Sequence, residues 1–402
     1  MKKFNCNIIV FAVCMILIGF SFTADYFSGI TEAFKTMIKV DLPAGDPDSF
    51  TNLTAKIDTI TSEELRYHER LVALDSVKQR LLNTQVIVKE ETTLVKSSGG
   101  SLVSPQTVQI SQERIDETVS RVQSLQDAAD NVGASFLYVA APRKGYGFSL
   151  PANVENYEVK NYSAYIESLV SGGIPTLDLA AELTAAGMMN ESSYFLTDHH
   201  WKPTVGLWAT DLIANTLQEK YGFNHDPAVT NPDNYSVKVY EDLFLGSYGL
   251  KVGRYFTEGG LEDIDILTPR FETQFSVQCP YNSKSLSGSF EQALMNMDFL
   301  NPKDGYSTQC YMAYTGGNYR LEKIKNELNP DGEKVLLIHD SFACAVIPFL
   351  APDTGELHAI DLRDFIPSKQ ISVYDYIEEF QPDHVIVLYS GVGMGEGRCE
   401  FY

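Results

Sequence analysis

The residues whose types and spacing are best suited to chemistry lie together at positions 197–201, which read Thr-Asp-His-His-Trp. Only seven histidines occur in the chain, and two of them stand here, directly after an aspartate. A histidine base needs a neutral imidazole and an acceptor on its second ring nitrogen, which fixes the tautomer. Asp198 and His200 fit this pairing better than Asp198 and its neighbour His199. We therefore predict that His200 is a base oriented by Asp198, and that His199 lines the site or bonds to the backbone.

Ser341 is the predicted nucleophile for this base. It follows an apolar run at 335–338, typical of a buried strand, and precedes an apolar helical pattern at 342–350. Such a strand–turn–helix unit places the serine at the carboxyl end of a parallel strand, where doubly wound folds hold their sites. The first N–H groups of the helix would then form part of an oxyanion hole. The alternatives are that Asp340 and Ser341 only cap the helix, and that the histidine pair forms a structural surface turn.

Further residues could bind substrate or an oxyanion at the same edge. Gly317 would let the backbone approach a reacting carbonyl and Asn318 offers a side-chain donor, although both also suit an ordinary turn. Arg363 follows one predicted strand and Tyr389 ends another, and either touches substrate or only packs. The Asp-His-His run also offers three metal ligands, but the separate aspartate clusters of the phosphoesterase family with this run cannot be placed here. We therefore predict no metal and no other cofactor.

The elements that must position these residues alternate in the manner of a parallel sheet covered by helices. An apolar helical stripe at 111–129 ends near Gly133 and is followed at 134–140 by a strand that is apolar on both faces. This order recurs up to residue 179, and Pro203 opens a helix that runs to about residue 217. Near the C-terminus we predict helices at 320–328, 342–350 and 373–380, and strands at 335–338, 357–362 and 385–389. The sequence thus predicts an α/β fold with a parallel sheet and helices on both faces.

The N-terminus indicates where the protein works. Lys2 and Lys3 precede an apolar run at 8–22, a pattern typical of a secretory signal peptide or a signal anchor. We predict an uncleaved anchor within residues 1–24, with secretion after signal cleavage as the alternative. Lysines ahead of the run place the N-terminus inside and the rest of the chain outside. The protein is therefore predicted to be extracytoplasmic and anchored to the cell membrane.

The rest of the chain is predicted to form a spacer and one large domain. Residues 25–85 hold the spacer and a leading helix, and residues 86–402 hold the domain, with an irregular, β-leaning insertion at about 222–317. The formal net charge of −22 repels phosphate backbones, which argues against nucleic acid as a partner. Four cysteines lie outside the anchor, an even number that permits disulfides, and Cys279 with Cys310 is the pair to test first.

Thr-Asp-His-His-Trp at 197–201, followed far downstream by His-Asp-Ser-Phe at 339–342, resembles the DHHW family. That family groups with the SGNH-hydrolase-like domains of the alginate O-acetylation proteins, and the resemblance extends from about residue 86 to the C-terminus. It implies a flavodoxin-like α/β/α domain in which Asp198, His200 and Ser341 match the relatives' Asp-x-His and serine. Ordinary SGNH hydrolases carry the serine first, so this chain departs from their order as the alginate proteins do.

The resemblance also implies an activity. In the characterised relatives the domain transfers O-acetyl groups to exported polysaccharide. The resemblance also suggests a membrane partner protein that delivers the acyl donor. We therefore predict extracytoplasmic, serine-dependent acyl transfer, that is, O-acetyl transfer to, or esterase action on, a cell-envelope or exported polysaccharide. The alternative is a non-catalytic glycan-binding or assembly protein on the same fold, with aromatic side chains of the insertion stacking on sugars.

Overall fold

The computed structural model describes residues 68–89, 92–258, 260–302, 305–365, 372–391 and 401. The chain divides into two compact units, Met1–Lys78 and Gln79–Tyr402, and all the predicted site residues belong to the second. The predicted anchor at 1–24 and most of the spacer at 25–85 lie outside the described residues. Within the described ranges, no helix is both long enough and apolar enough to cross a membrane.

Helices and strands alternate through most of the second unit. The α-helices of the described residues are α1 (His68–Leu81), α2 (Gln112–Asn131), α3 (Glu158–Ser171), α4 (Leu179–Ala185), α5 (Pro203–Tyr221), α6 (Pro227–Thr230), α7 (Ser247–Val252), α8 (Ile347–Leu350), α9 (Leu362–Phe365) and α10 (Val373–Phe380). The strands are β1 (Val86–Lys89), β2 (Thr92–Lys96), β3 (Leu102–Val103), β4 (Ser135–Ala141), β5 (Thr176–Asp178), β6 (Tyr235–Phe244), β7 (Glu262–Pro269), β8 (Phe275–Cys279), β9 (Lys284–Gly288), β10 (Leu321–Asn326), β11 (Lys334–His339), β12 (Glu356–Asp361) and β13 (His384–Ser390).

Local sequence sets the ends of α2 and α5, the two longest helices of the described residues. Ser111 caps α2, and its hydroxyl accepts an N–H of the first turn at 3.4 Å. Helix α5 begins at Pro203, whose fixed φ suits a first helical position, and ends at Gly222 in the left-handed conformation with φ +79°. Because α5 starts only at Pro203, Asp198 and His200 remain in the loop that leads into its N-terminus.

An eight-stranded mixed sheet forms the centre of the domain, in the order β5-β4-β13-β11-β12-β10-β8-β9. The first five strands run parallel to one another, and β10, β8 and β9 continue the sheet in antiparallel fashion. The predicted parallel sheet is correct for those five strands and wrong for the other three. Strands β8 and β9 belong to the 222–317 region, which therefore extends the sheet, while β6 and β7 of that region pair with each other.

Both faces of the parallel strands are buried, as their continuous apolar runs predict. Leu137 and Val139 of β4 point into one apolar core together with residues of α5. Phe136 and Tyr138 of the same strand point into a second core with residues of α2 and α3. Since successive side chains of a strand point to opposite faces, the sheet lies between helices on both sides.

Of the predicted C-terminal helices, the one at 320–328 is wrong and the one at 342–350 is formed only in part. The 320–328 segment contains strand β10, although its Leu, Glu and Lys residues favour a helix, because it pairs with β12 on one side and β8 on the other. The 342–350 segment is a 3₁₀ turn at Ser341–Ala345 followed by the short helix α8. In a continuous α-helix from residue 342, Pro348 would lack an N–H and its ring would clash with the carbonyl four residues earlier, whereas it is tolerated in the first turn of α8.

The cysteines in the described part of the chain are free and buried: Cys279, Cys310 and Cys344. The predicted Cys279–Cys310 disulfide is therefore not formed. Burial raises the pKa of the Cys279 thiol to about 12 and that of Cys310 to about 11, so both stay protonated at neutral pH. They act as small apolar packing residues.

Candidate active site

The structure brings Asp198, His200 and Ser341 together, although the histidine and the serine lie 141 positions apart in the sequence. His200 Nε2 lies 2.7 Å from Ser341 Oγ, and His200 Nδ1 lies 2.6 Å from Asp198 Oδ1. All three residues are buried. With Nδ1–H donated to the carboxylate, Nε2 is the acceptor for the serine proton. The arrangement therefore meets the geometric requirement for an activated serine nucleophile.

Asp198 is held by more than its histidine. Its Oδ1 also accepts the His200 backbone N–H at 3.0 Å, and its Oδ2 accepts the Ser247 N–H at 2.8 Å. Burial opposes ionisation of the carboxyl group, but the His200 and His199 rings and these hydrogen bonds outweigh it and hold its pKa well below the ordinary value. Gly246 permits the close approach of α7, because a Cβ at this position would lie 2.2 Å from the Cβ of Asp198.

Ser341 stands on a turn that Asp340 shapes. The Asp340 carboxylate accepts the Phe342 N–H at 3.0 Å, and the Asp340 carbonyl accepts the Ala343 N–H at 3.0 Å. The second carboxylate oxygen accepts the N–H and the hydroxyl of Ser390, which ties the turn to the end of β13. Asp340 therefore caps the turn, while the serine hydroxyl faces the imidazole. The N–H groups of Phe342 and Ala343 are bonded within the turn, so neither is a free donor of the kind that an oxyanion hole needs.

Two aromatic side chains join the histidine loop to the serine turn. Tyr311, from the 222–317 region, stacks on the His200 ring with 4.1 Å between centroids and 12° between planes. The Tyr311 hydroxyl donates to the Phe342 carbonyl at 3.0 Å, and Trp201 Nε1 donates to the same carbonyl at 3.1 Å. Trp201, which follows His200, and Tyr311, which stacks on His200, are therefore both hydrogen-bonded to the turn that carries Ser341.

His199 lies at the rim of the site. Its ring centroid is 3.8 Å from that of His200, and its Nδ1 lies 3.0 Å from Ser247 Oγ. Its side chain is 38% exposed, so it lines the opening and bonds to a side chain rather than to the backbone. Partial burial of the ring and the neighbouring His200 lower the pKa of His199, so its imidazole is neutral at neutral pH.

The predicted oxyanion residues lie behind the serine turn. Asn318 Oδ1 accepts a hydrogen bond from the Cys344 thiol at 3.1 Å, three residues after the serine. Gly317 has φ +139°, a conformation that favours glycine, and its carbonyl accepts the Thr315 hydroxyl at 2.7 Å. Asn318 thus reaches the turn through Cys344, and its role as an oxyanion donor stays a prediction.

The two strand-end candidates differ in their surroundings. Arg363 donates to both carboxylate oxygens of Asp361, at 2.9 and 2.5 Å, so its charge is compensated locally at the end of β12. Tyr389 is fully buried in the core between the sheet and helices α2 and α3. The structure therefore places Tyr389 among the packing residues of this core.

Sequence reasoning missed the residues that support the site from outside the two motifs: Lys144, Ser247, Glu262 and Tyr311. Ser247, Glu262 and Tyr311 belong to the 222–317 region, whose aromatic content was the one signal that it shapes the site. Lys144 follows the predicted strand at 134–140, so the rule that places sites at carboxyl ends of parallel strands could have found it.

Asp198, His199 and His200 could each offer one ligand atom to a metal ion, since these atoms lie within 4.8 Å of one another. Both ring nitrogens of His200 are already hydrogen-bonded, one to Asp198 and one to Ser341. An ion bound through His200 would have to displace one of these bonds. The donor set therefore fits proton transfer better than metal binding.

Residues 101–238 match the family model of the SGNH hydrolase-like domain of the acetyltransferase AlgX. The match confirms the predicted resemblance and covers about a third of the chain. It includes Asp198 and His200 and ends before Ser341. No curated protein matches the chain.

Solved structures share the fold of the domain. Bacillus cereus PatB1 is 18% identical, with a TM-score of 0.61, over 79% of this chain and 99% of its own. PatB1 with a sulfonyl adduct gives 17% and 0.62 over the same shares. A DHHW family protein from Eubacterium siraeum DSM 15702 is 17% identical, with a TM-score of 0.58, over 78% of this chain and 95% of its own. At these identities the likeness establishes a common fold and leaves the chemistry to the site.

Proposed function

We propose that this protein catalyses serine-dependent acyl transfer, as an O-acetyltransferase or esterase acting on a cell-envelope or exported polysaccharide. The observation that carries the proposal is the continuous chain of short hydrogen bonds from Asp198 through His200 to Ser341, at 2.6 and 2.7 Å. The match of residues 101–238 to the AlgX acetyltransferase domain supports acetyl as the transferred group.

The proposed reaction has two halves. In the first, Ser341 Oγ attacks the acyl carbonyl while His200 Nε2 takes its proton, and that proton then passes to the leaving group as the carbonyl–leaving group bond breaks. The acyl group is left as an ester on the serine. In the second half, His200 removes a proton from a sugar hydroxyl or from water as that oxygen attacks the ester. The proton then passes to Ser341 Oγ as the bond between the serine and the acyl group breaks, which frees the serine and releases the acylated sugar or the free acid. Asp198 stabilises the imidazolium that exists in each transfer.

We further propose that the N-terminal segment anchors the protein and that the domain works outside the cytoplasm. A transferase in that location needs an activated acyl donor, which we propose is delivered by a membrane partner protein. Fractionation of cells that express the full chain tests the anchor: it should pellet with membranes and be released by detergent but not by salt. Recovery of the protein from the culture medium would support the cleaved-signal alternative instead.

The test of the chemistry is turnover of 4-nitrophenyl acetate by the full chain in detergent. Ser341→Ala and His200→Ala should each lower kcat/KM by about 10³-fold or more, because each removes a member of one catalytic unit. Ser135→Ala is the matched control, since Ser135 Oγ also bonds to a histidine, His384 Nδ1, at 2.6 Å. It should stay within about twofold of wild type. Unchanged turnover in both site variants would end the proposal.

Covalent labelling separates an enzyme from the alternative of a non-catalytic glycan-binding protein. PatB1 has been solved with a sulfonyl adduct, and a sulfonyl fluoride or a fluorophosphonate should likewise add one equivalent to wild type here, located at Ser341 by peptide mass spectrometry. A binding protein should remain unlabelled. Comparing water with an oligosaccharide as the acceptor of the acetyl group then separates an esterase from a transferase.

A further inference from the structure

Two ionisable side chains bind the backbone of the loop that carries Asp198. Lys144 Nζ donates to the carbonyl oxygens of Leu196 and Asp198, at 2.8 and 2.9 Å. On the other side, Glu262 accepts the N–H groups of Leu196 and Thr197, the latter at 2.6 Å, and also the Thr197 hydroxyl. Lys144 thus binds carbonyl acceptors of this loop, while Glu262 binds N–H and O–H donors of the same loop.

Lys144 is buried, with 3% of its surface exposed, just beyond the carboxyl end of β4. Burial lowers the pKa of its ammonium group to about 7, and the charges of Glu262, Asp198 and Glu191 oppose that shift. A buried ammonium group costs free energy that a methionine of similar length would not. Core packing therefore does not account for a lysine here, whereas its two hydrogen bonds to the loop do.

The loop transmits any displacement to the acid–base pair. The Thr197 carbonyl accepts the Gly249 N–H at 2.8 Å, and the Thr197 hydroxyl accepts the Gly246 N–H at 2.9 Å, both from the α7 region. The same region supplies the Ser247 N–H that binds the Asp198 carboxylate at 2.8 Å. A shift of residues 196–198 would therefore move Asp198 relative to both its α7 donor and its histidine.

We propose that Lys144 and Glu262 are positioning residues for the acyl-transfer site, and that together they form a clamp that sets the distance from Asp198 to His200. The clamp deepens the proposed function and rests on it for its effect on turnover. Neither side chain touches the reacting atoms in this scheme. Each acts through the backbone of residues 196–198, so the two act on one structural variable.

The experiment uses Lys144→Met and Glu262→Gln, singly and together, in the full chain. Each single change should lower kcat for 4-nitrophenyl acetate by about 10- to 100-fold with KM within about twofold, because a displaced base costs rate rather than binding. The double variant should lose much less than the product of the two single losses, since both act on the same loop. Lys96→Met is the matched control, because Lys96 Nζ also donates to a backbone carbonyl, that of Phe256, at 3.4 Å.

Hydrogen exchange of the peptide that spans residues 194–202 provides a readout that does not depend on activity. Lys144→Met and Glu262→Gln should raise exchange in this peptide, while Lys96→Met should leave it unchanged. If wild type neither turns over ester nor labels at Ser341, the proposed function fails and exchange alone judges the clamp. Unchanged exchange in both variants overturns the clamp, and so does kcat within about twofold of wild type in an active enzyme.

Discussion

Two hydrogen-bond networks, each made of a serine, a histidine and a carboxylate, lie at opposite ends of the parallel strands. At the carboxyl end, Ser341 follows β11 and bonds to His200, as described above. At the amino end, Ser135 opens β4, and its Oγ lies 2.6 Å from Nδ1 of His384, the first residue of β13. Nε2 of that histidine lies 3.1 Å from a carboxylate oxygen of Glu333. A serine, a histidine and a carboxylate therefore meet at both ends of one sheet, with Asp198 at one end and Glu333 at the other.

The two networks differ in what surrounds the serine. Ser341 stands on a turn, whereas Ser135 lies within a strand and spends its N–H on the Asp383 carbonyl at 2.9 Å. The two histidines also differ in which nitrogen faces the serine, Nε2 in His200 and Nδ1 in His384. Turns at the carboxyl ends of parallel strands are where doubly wound folds hold their active sites, whereas Ser135 is paired with His384 within the sheet at the other end.

The two networks differ as well in how the carboxylate is held. The Asp198 side chain is 5% exposed and takes three hydrogen bonds from the His200 ring and two backbone N–H groups, whereas the Glu333 side chain is 30% exposed. An open cavity of about 510 Å³ lies beside the network at the amino end of the strands, and Ser135, Glu333 and His384 are among its lining residues. A cavity beside a serine and a histidine is therefore not enough to identify an active site, and the hydrogen bonds that support each network have to be compared as well.

The largest expected difference in kcat comes from changing the carboxylate of each network. Asp198→Asn should lower kcat by about 10³- to 10⁴-fold, because an amide in place of the carboxylate favours the wrong tautomer of His200. Glu333→Gln should change kcat by less than about twofold. The comparison is measured with 4-nitrophenyl acetate on variants whose far-UV spectra and melting temperatures match wild type. Loss of activity in Glu333→Gln with retention in Asp198→Asn would move the active site to the amino end.

A glycine at each end provides a smaller test of the same difference. In Gly246→Ala the new methyl group would lie 2.2 Å from the Asp198 Cβ, so α7 or the loop must shift, and kcat should fall by about 100-fold. Gly133 has φ +80° beside the opposite cavity and open space around its Cβ position. Gly133→Ala should therefore lower the free energy of unfolding by about 1 kcal/mol and leave kcat unchanged.

These tests fall on residues that the sequence revealed to different degrees. Asp198, His200 and Ser341 stand in short motifs whose spacing already suggests their pairing, and the apolar runs at 335–338 and 385–389 predict the strands beneath them. Strand β10 could not be predicted in this way, because its helix-favouring residues are overridden by pairing with two neighbours.

Support from distant parts of the chain is the other element that sequence leaves hidden. Lys144 and Tyr311 carry no local pattern that separates them from other lysines and tyrosines, and their contacts arise only when the chain is folded. The network at the amino end of the strands is equally hidden in the sequence. Ser135 and His384 lie 249 positions apart in the sequence, and no motif announces their pairing.

The smallest expected effect on activity concerns a buried carboxyl group at the carboxyl end, which contrasts with the partly exposed Glu333. Burial raises the pKa of Glu322 on β10 from 4.5 to about 8, with Lys284 opposing the shift. Between these two pH values the folded chain holds a proton that the unfolded chain has lost, so the contribution of Glu322 to stability falls as pH rises, by at most about 1.4 kcal/mol per pH unit. Glu322→Gln removes this dependence. Urea unfolding from pH 5 to pH 8 should therefore show the variant gaining stability relative to wild type, with kcat unchanged throughout, whereas a constant difference across that range would mean that Glu322 ionises alike in both states.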